Sequence, residues 1–380
     1  MIYFDNAATS NPKPQPVIDE MMRALTAYNA NPGRSGHDSA IEAARCVFTC
    51  RESIARLIHA ESSDCVSFAF NCTDALNLAI KGSLRTGDHE ISTMLEHNSV
   101  LRPLSGLAYR RQISLTLLSP RADGQINPDD VIRALRQNTK LIAVTHASNV
   151  TGAVQPVAAI GNLASERGIP YLIDGAQALG GMPVSMQKLK CTLYAFPGHK
   201  SLLGPQGTGG LYIRSGTRLN PLREGGTGTE SDSMQQPNDP PERYESGSLN
   251  LPGIAGLKCG AEYVEKNLSA IMMHVRELTT QLYEGIKSMP GAIIYSPEEE
   301  SARASIVSFN IGDFTSSEMA DALARRKIAV RGGLHCAPGV HSHLGTLRRG
   351  AVRASIGHAN TLEEIDQFLR ALYEISRSGV

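Results

Sequence analysis

Several predicted strands of this 380-residue chain end in groups able to do chemistry together. CVSFAF at 65 runs into Asn71-Cys72-Thr73-Asp74 and then the helical period ALNLAIKGSL, so free backbone N–H groups and the Thr73 hydroxyl gather at a helix N-terminus. Such a place holds an anion, and equally it is where Thr or Asp serves as a plain cap. YLID ends in Asp174-Gly175-Ala176-Gln177. The carboxyl ends of parallel strands face the ligand crevice, which sets Asp174 toward a ligand; a helix cap is the other reading. His97, after HEISTMLE, and Asn149, after LIAVTHAS, stand at equivalent strand tips. Lys200 lies 26 residues beyond Asp174, in Pro197-Gly198-His199-Lys200, after CTLYAF and before the glycine-rich GPQGTGG. A lysine by itself is normally a solvated surface residue.

Its neighbours change that. An anion cradle, an acid at a strand tip and a lysine beside a buried strand end are the three groups that hold pyridoxal 5'-phosphate. The acid keeps the ring nitrogen protonated, so that the ring draws electrons from a substrate carbanion. The lysine amine holds the aldehyde, is displaced by the substrate amine, and then moves protons at the substrate alpha carbon.

Seven cysteines, an odd number, are scattered with no C-x-x-C pair, which suggests neither a disulfide framework nor a thiolate zinc site. Cys46 and Cys50 fall in a helical period, Cys65 and Cys191 start strands, and Cys259 is in a helical stretch, where a small buried hydrophobe is expected. Cys336 differs. It follows His335 in RGGLHCAPG, with Arg331, His341 and His343 near in sequence, a cationic, flexible setting of the kind that favours a thiolate. His341 and His343 with one cysteine are too few for a zinc site, which wants four ligands.

The elements that must position these residues follow from periodicity. Apolar runs at 65, 89, 113, 140, 169, 191 and 209 alternate with helical periods, the pattern of a mostly parallel seven-stranded sheet covered by helices. Ser39 with Glu42 predicts a capping box, as do Thr315 with Glu318 and Thr361 with Glu364; Asn127, Pro128 and Asp130 open another helix. Residues 216–252 hold five Gly and five Pro in 37 positions and predict a long loop, which is functional or a linker when it occurs inside a domain. Beyond it, LSAIMMHVRELTTQLYEGIKSM predicts a helix and AIIYS, ASIVSFNI and IAVRGG predict strands of a smaller α+β domain. The expected division is a large domain over 15–252 and a small one made of 1–14 and 253–380.

Lys plus Arg equals Asp plus Glu at 37 each, leaving no basic excess for nucleic acid and no polybasic block for a membrane surface. No apolar run approaches the roughly 20 residues that span a bilayer, and MIYFDNAATS lacks the features of a signal peptide, so the expectation is a cytoplasmic protein. With 35 Gly, 20 Pro and 41% hydrophobic residues, the composition is that of a globular chain with many turns.

DNAAT at 5–9, DGAQ at 174–177, GHK at 198–200 and RGGLHCA at 331–337 resemble the class V aminotransferase superfamily of fold type I pyridoxal phosphate enzymes, and within it the cysteine desulfurase and selenocysteine lyase branch. The resemblance runs from the first strand to the last helix. It implies Lys200 as the Schiff-base lysine, Asp174 as partner of the pyridine nitrogen, Gln177 as donor to the ring hydroxyl and His97 stacked on the ring. Cys72, Thr73 and His199 would hold the phosphate, and Asn149 would lie near the ring oxygen. Arg353, in AVRASIG, matches the arginine that grips the substrate carboxylate, a task suited to a guanidinium fork. Arg331 and Arg34 would line the entrance. Ser248, in YESGSLN, falls where the family usually has a Thr that reaches the cofactor phosphate of the other subunit, which implies a homodimer with shared sites. Cys336 would attack the sulfur of L-cysteine, leaving L-alanine and an enzyme persulfide.

L-Selenocysteine as substrate is the nearest alternative. Other class V reactions, such as transamination or beta-elimination, come next, and a non-catalytic binding protein is the alternative of another class. Three features depart from or subdivide the family pattern. Pro197 stands where many members have Ser, Leu334 where His is frequent, and the short span from Cys336 to Arg353 resembles the group that passes its persulfide to a separate acceptor protein.

Overall fold

The near-continuous apolar runs become the middle of a sheet buried on both faces, where alternation is not required. In the computed structural model, which describes residues 1–33 and 35–378, all seven expected strands are present. Their order across the sheet is Val66–Ala69, Gly209–Ile213, Leu193–Pro197, Tyr171–Asp174, Thr139–Thr145, Asp88–Thr93, Ile113–Leu118. Gly209–Ile213 runs antiparallel to both its neighbours, and the other pairings are parallel. Leu141, Ala143, Leu172 and Leu193 pack on one face with the helices Cys72–Ser83 and Asn98–Tyr109. Ile142, Val144, Ile173 and Tyr194 pack on the other with the helix Asp38–Leu57.

A separate apolar core gathers Phe4, Leu282, Phe309, Val352, Phe368 and their neighbours. It is covered by an antiparallel sheet in the order Arg331–Gly333, Ala351–Ser355, Ile306–Ile311, Ala292–Ile294. The run IAVRGG does not form one strand as its composition predicts. Ile328–Ala329 pairs in parallel with Ile2–Tyr3, whereas Arg331–Gly333 joins the antiparallel sheet, so the chain changes sheets at Val330. The helix foreseen near residue 268 begins at Leu251 and continues to Lys287. Its 37 residues, about 55 Å at 1.5 Å per residue, serve both cores: Ile254, Leu257 and Ala261 in the larger, Leu278, Leu282 and Ile286 in the smaller.

Two of the expected capping boxes are present. The Thr315 and Thr361 hydroxyls accept from the Glu318 and Glu364 amides, and each glutamate accepts in return. Asn127 caps the helix Pro128–Ala134. The third does not form. The helix Asp38–Leu57 is capped by His37, whose Nδ1 accepts from Ala40 N, while Glu42 is engaged by Arg23. The expected loop 216–252 ends two residues early, because Leu251 and Pro252 already open the long helix; the rest contains only the short turn Glu242–Tyr244, yet its base is pinned. Glu245 holds buried Arg51 through contacts of 2.6 and 2.9 Å, and Arg243 donates to the carbonyls of Leu219 and Pro237.

Candidate active site

The strand ends Asp174 and Pro197 open on one cavity of about 230 Å³, into which ten of the residues singled out in the sequence converge. They are Cys72, Thr73, His97, Asn149, Asp174, Gln177, His199, Lys200, Arg331 and Arg353. Cys336 stands beside it, Ser248 is elsewhere in the subunit, and Arg34 lies outside the described residues.

Asp174 ends the strand Tyr171–Asp174 and is buried. Its Oδ1 accepts from Ala176 N at 2.9 Å, and the Cys72 thiol lies 3.6 Å from the same oxygen. The turn that follows is possible only for glycine: a Cβ on Gly175 would stand 2.1 Å from the Tyr194 ring. Burial and the Asp174 charge push the Cys72 thiol up, so it stays protonated and donates. Cys72 therefore meets Asp174 with its side chain, and any part it takes in an anion cradle comes from its main chain.

The helix Cys72–Ser83 is capped by Asn71, whose side chain accepts from Asp74 N at 2.9 Å. That leaves the Thr73 hydroxyl free of capping duty, and it meets Ser99 Oγ at 2.7 Å. Ser99 is the residue that the sequence did not reveal. Its N–H donates to His97 Nδ1 at 3.0 Å and its hydroxyl lies 2.8 Å from the same nitrogen. Because Nδ1 accepts a backbone N–H, the proton of the neutral ring sits on Nε2. Burial lowers the His97 pKa further, against the pull of Asp174.

Lys200 follows the strand Leu193–Pro197. Removal from water pulls its amine below the ordinary lysine value, with the Asp174 charge opposing. The carbonyl of His199 is held by the N-terminal segment: Ser10 N donates at 3.0 Å, Thr9 Oγ1 at 3.1 Å and Lys13 Nζ at 2.9 Å. Burial takes Lys13 down to about 8. Burial and the charges of Lys200 and Lys13 take the His199 ring down to about 4, and its buried Nδ1 has no partner among the described residues. Gln177 donates to the carbonyl of Ala7 at 3.1 Å, which ties DGAQ to DNAAT.

Arg353 comes from the strand Ala351–Ser355 and is 1% exposed. Its Nη2 donates to Asp5 Oδ1 at 2.9 Å and its Nη1 to the carbonyl of Asn149 at 2.8 Å, which fixes the guanidinium plane. Its Nε is buried without a partner among the described residues. Asp5 lies within a recognised motif, but its pairing with Arg353 depends on a parallel bridge between Asp5 and Ser355, remote in sequence. Arg331 Nη2 reaches to 3.8 Å from the exposed Cys336 Sγ. His341 is buried against Thr346 Oγ1 at 2.8 Å and His343 is exposed, so the two face apart on the helix Pro338–His343.

The donor set suits pyridoxal phosphate. A buried acid, a primary amine and a helix start occupy one cavity, and the unpartnered His199 Nδ1 and Arg353 Nε fit a phosphate and a carboxylate.

The Aminotransferase class-V family model matches residues 2–368. A probable cysteine desulfurase of Methanothermobacter thermautotrophicus is 35% identical over 100% of this chain and 95% of its own length. One from Pyrococcus abyssi is 34% identical over the same shares, 100% and 95%. The apo structure of a cysteine desulfurase from Thermococcus onnurineus superposes with a TM-score of 0.92 at 34% identity, covering 99% of this chain and 94% of that one. With the cavity, its strand-end acid and its lysine, these likenesses establish that the chain belongs to the class-V aminotransferase family.

Proposed function

We propose that the protein is a pyridoxal phosphate-dependent cysteine desulfurase, converting L-cysteine to L-alanine with the sulfur received on Cys336. The observation that carries this reading is the placement of an exposed thiol 3.8 Å from Arg331, which itself lines the cavity shared by Lys200, Asp174 and Arg353. The desulfurase relatives support it.

When bound, the cofactor supplies an electron sink that acidifies the substrate alpha carbon. Asp174 would stand at the ring nitrogen. The N–H groups at the start of Cys72–Ser83, the Thr73 hydroxyl and His199 would take the phosphate. Arg353, oriented by Asp5 and the Asn149 carbonyl, would take the substrate carboxylate. Lys200, its amine pulled down by burial, would move the proton at the alpha carbon. His97 offers a proton from Nε2. The Cys336 thiolate attacks the substrate sulfur: an S–S bond forms, the Cβ–S bond breaks with its electrons going to carbon, and protonation there completes alanine. A persulfide remains on Cys336.

Ser248 lies outside its own subunit's cavity, in a hollow with Phe68 and Asn250, which fits service to a second copy in a homodimer. An exposed Cys336 fits transfer of its sulfur to an acceptor protein.

The test is alanine formation from L-cysteine and from L-selenocysteine by the cofactor-loaded wild type and by Cys336→Ala. Loss of the L-cysteine reaction alone in the variant supports the desulfurase. Equal rates for both proteins on L-cysteine would exclude it, and turnover of selenocysteine alone would make the protein a selenocysteine lyase.

A further inference from the structure

His335 and Cys336 are consecutive non-glycine residues in the left-handed region, with φ of 49° and 58°. A residue with a Cβ holds that conformation only where its surroundings over-determine it. Two of the holds here come from the large sheet's side of the cavity. Asn149 Nδ2 donates to the His335 carbonyl at 2.6 Å, and Asn98 N donates to the Cys336 carbonyl at 2.7 Å. The His335 ring, neutral in its buried site, meets the Ala351 carbonyl through Nε2 at 2.9 Å. Directly after the turn, Gly339 packs so closely that a Cβ would stand 2.3 Å from the Met94 carbonyl.

Asn98 is the first residue of the helix Asn98–Tyr109, whose opening N–H groups have no partners within the helix. The next one, Ser99 N, goes to the His97 ring, and Asn98 N goes to the thiol-bearing turn. One helix start therefore holds both the imidazole and the cysteine main chain.

We infer that Asn98, through its backbone N–H, and Asn149, through its side-chain amide, are positioning residues for Cys336. They lock the strained turn so that the thiol approaches the substrate from a fixed place relative to His97. This rests on Cys336 being the sulfur acceptor, but the lock itself has a readout independent of turnover.

Asn98→Pro isolates the bond. Proline is accommodated at the first position of a helix, and His97, at φ −65° and ψ 154°, already has the extended conformation required before proline. Only the N–H is deleted, whereas Asn98→Ala keeps it. The Ala337 amide, which donates to the Leu334 carbonyl at 2.9 Å, reports on the turn by hydrogen exchange of the holoenzyme. Against Asn98→Ala, Asn98→Pro should exchange at Ala337 about five- to tenfold faster and lose a similar factor in kcat for L-cysteine, the worth of one hydrogen bond, with KM unchanged. If Asn98→Pro does not fold, Asn149→Asp, which sets an acceptor against the His335 carbonyl, should show the same faster exchange. Exchange equal to that of Asn98→Ala in the folded variants overturns the lock. A wild type that forms no alanine counts against the desulfurase, while the exchange comparison still decides the lock.

Discussion

The Ser99 hydroxyl lies 2.8 Å from His97 Nδ1, on the nitrogen that already accepts the Ser99 N–H. Both donors favour the neutral ring, and burial acts in the same direction. Ser99→Ala removes one of them, so His97 should take its proton at higher pH. The acid limb of the pH profile for alanine formation should move up, with kcat/KM at its optimum falling about three- to tenfold. A uniform loss at every pH would assign Ser99 a packing role only.

Arg353 is fixed by two acceptors on different segments, Asp5 and the Asn149 carbonyl, and a lysine cannot reproduce that fork. Arg353→Lys should raise KM for L-cysteine about 10- to 100-fold, or roughly 1.4–2.8 kcal/mol, with a smaller change in kcat. Steady-state kinetics decide this. An unchanged KM would remove Arg353 from carboxylate binding.

Among the cysteines, Cys336 is exposed and Cys259 half-buried, and the rest are buried. Burial pushes Cys259 up to about 11 and Cys191 to about 12, and raises Cys46, Cys50, Cys65 and Cys72 as well. Brief treatment of the native protein with iodoacetamide at neutral pH should label the Cys336 peptide at least about tenfold faster than any other, as read by mass spectrometry.

Glu90 is fully buried in the strand Asp88–Thr93, and neither of its carboxylate oxygens has a partner among the described residues. Burial, with Glu96 nearby, raises its pKa well above the usual range. The folded protein thus keeps a proton that the unfolded chain releases, and stability falls as pH rises from the ordinary carboxylate range toward the folded value. Burial takes Glu96 up to about 8 with the same sign. Glu90→Leu should be more stable by about 1–3 kcal/mol above that range. In thermal melts at pH 8 its Tm should rise by several degrees, with the difference shrinking near pH 4. A lower Tm at pH 8 would show that Glu90 has a partner in solution.

The parts that were legible in the sequence are those fixed by local pattern. Seven apolar runs of strand length became the sheet, and Asp174 and Lys200 line one cavity because one ends such a run and the other stands three residues beyond the end of another. What was not legible depends on distant contacts. Val330 has strand character in a strand-like run, and only the pairing of Ile328 with Ile2 shows that the chain changes sheets there. Ser39 and Glu42 have the right spacing for a capping box, but Arg23 engages the glutamate and His37 supplies the cap. Ser99 and Asn98 carry no signal in the sequence, because their partners, the His97 ring and the Cys336 carbonyl, are defined by folded geometry.

A persulfide on Cys336 is read most directly from the intact mass of the cofactor-loaded protein after exposure to L-cysteine without an acceptor. One added sulfur atom per chain is expected, mapped to the Cys336 peptide and removed by a reducing thiol. Alanine release with no added sulfur, or sulfur mapped to another cysteine, would contradict that expectation.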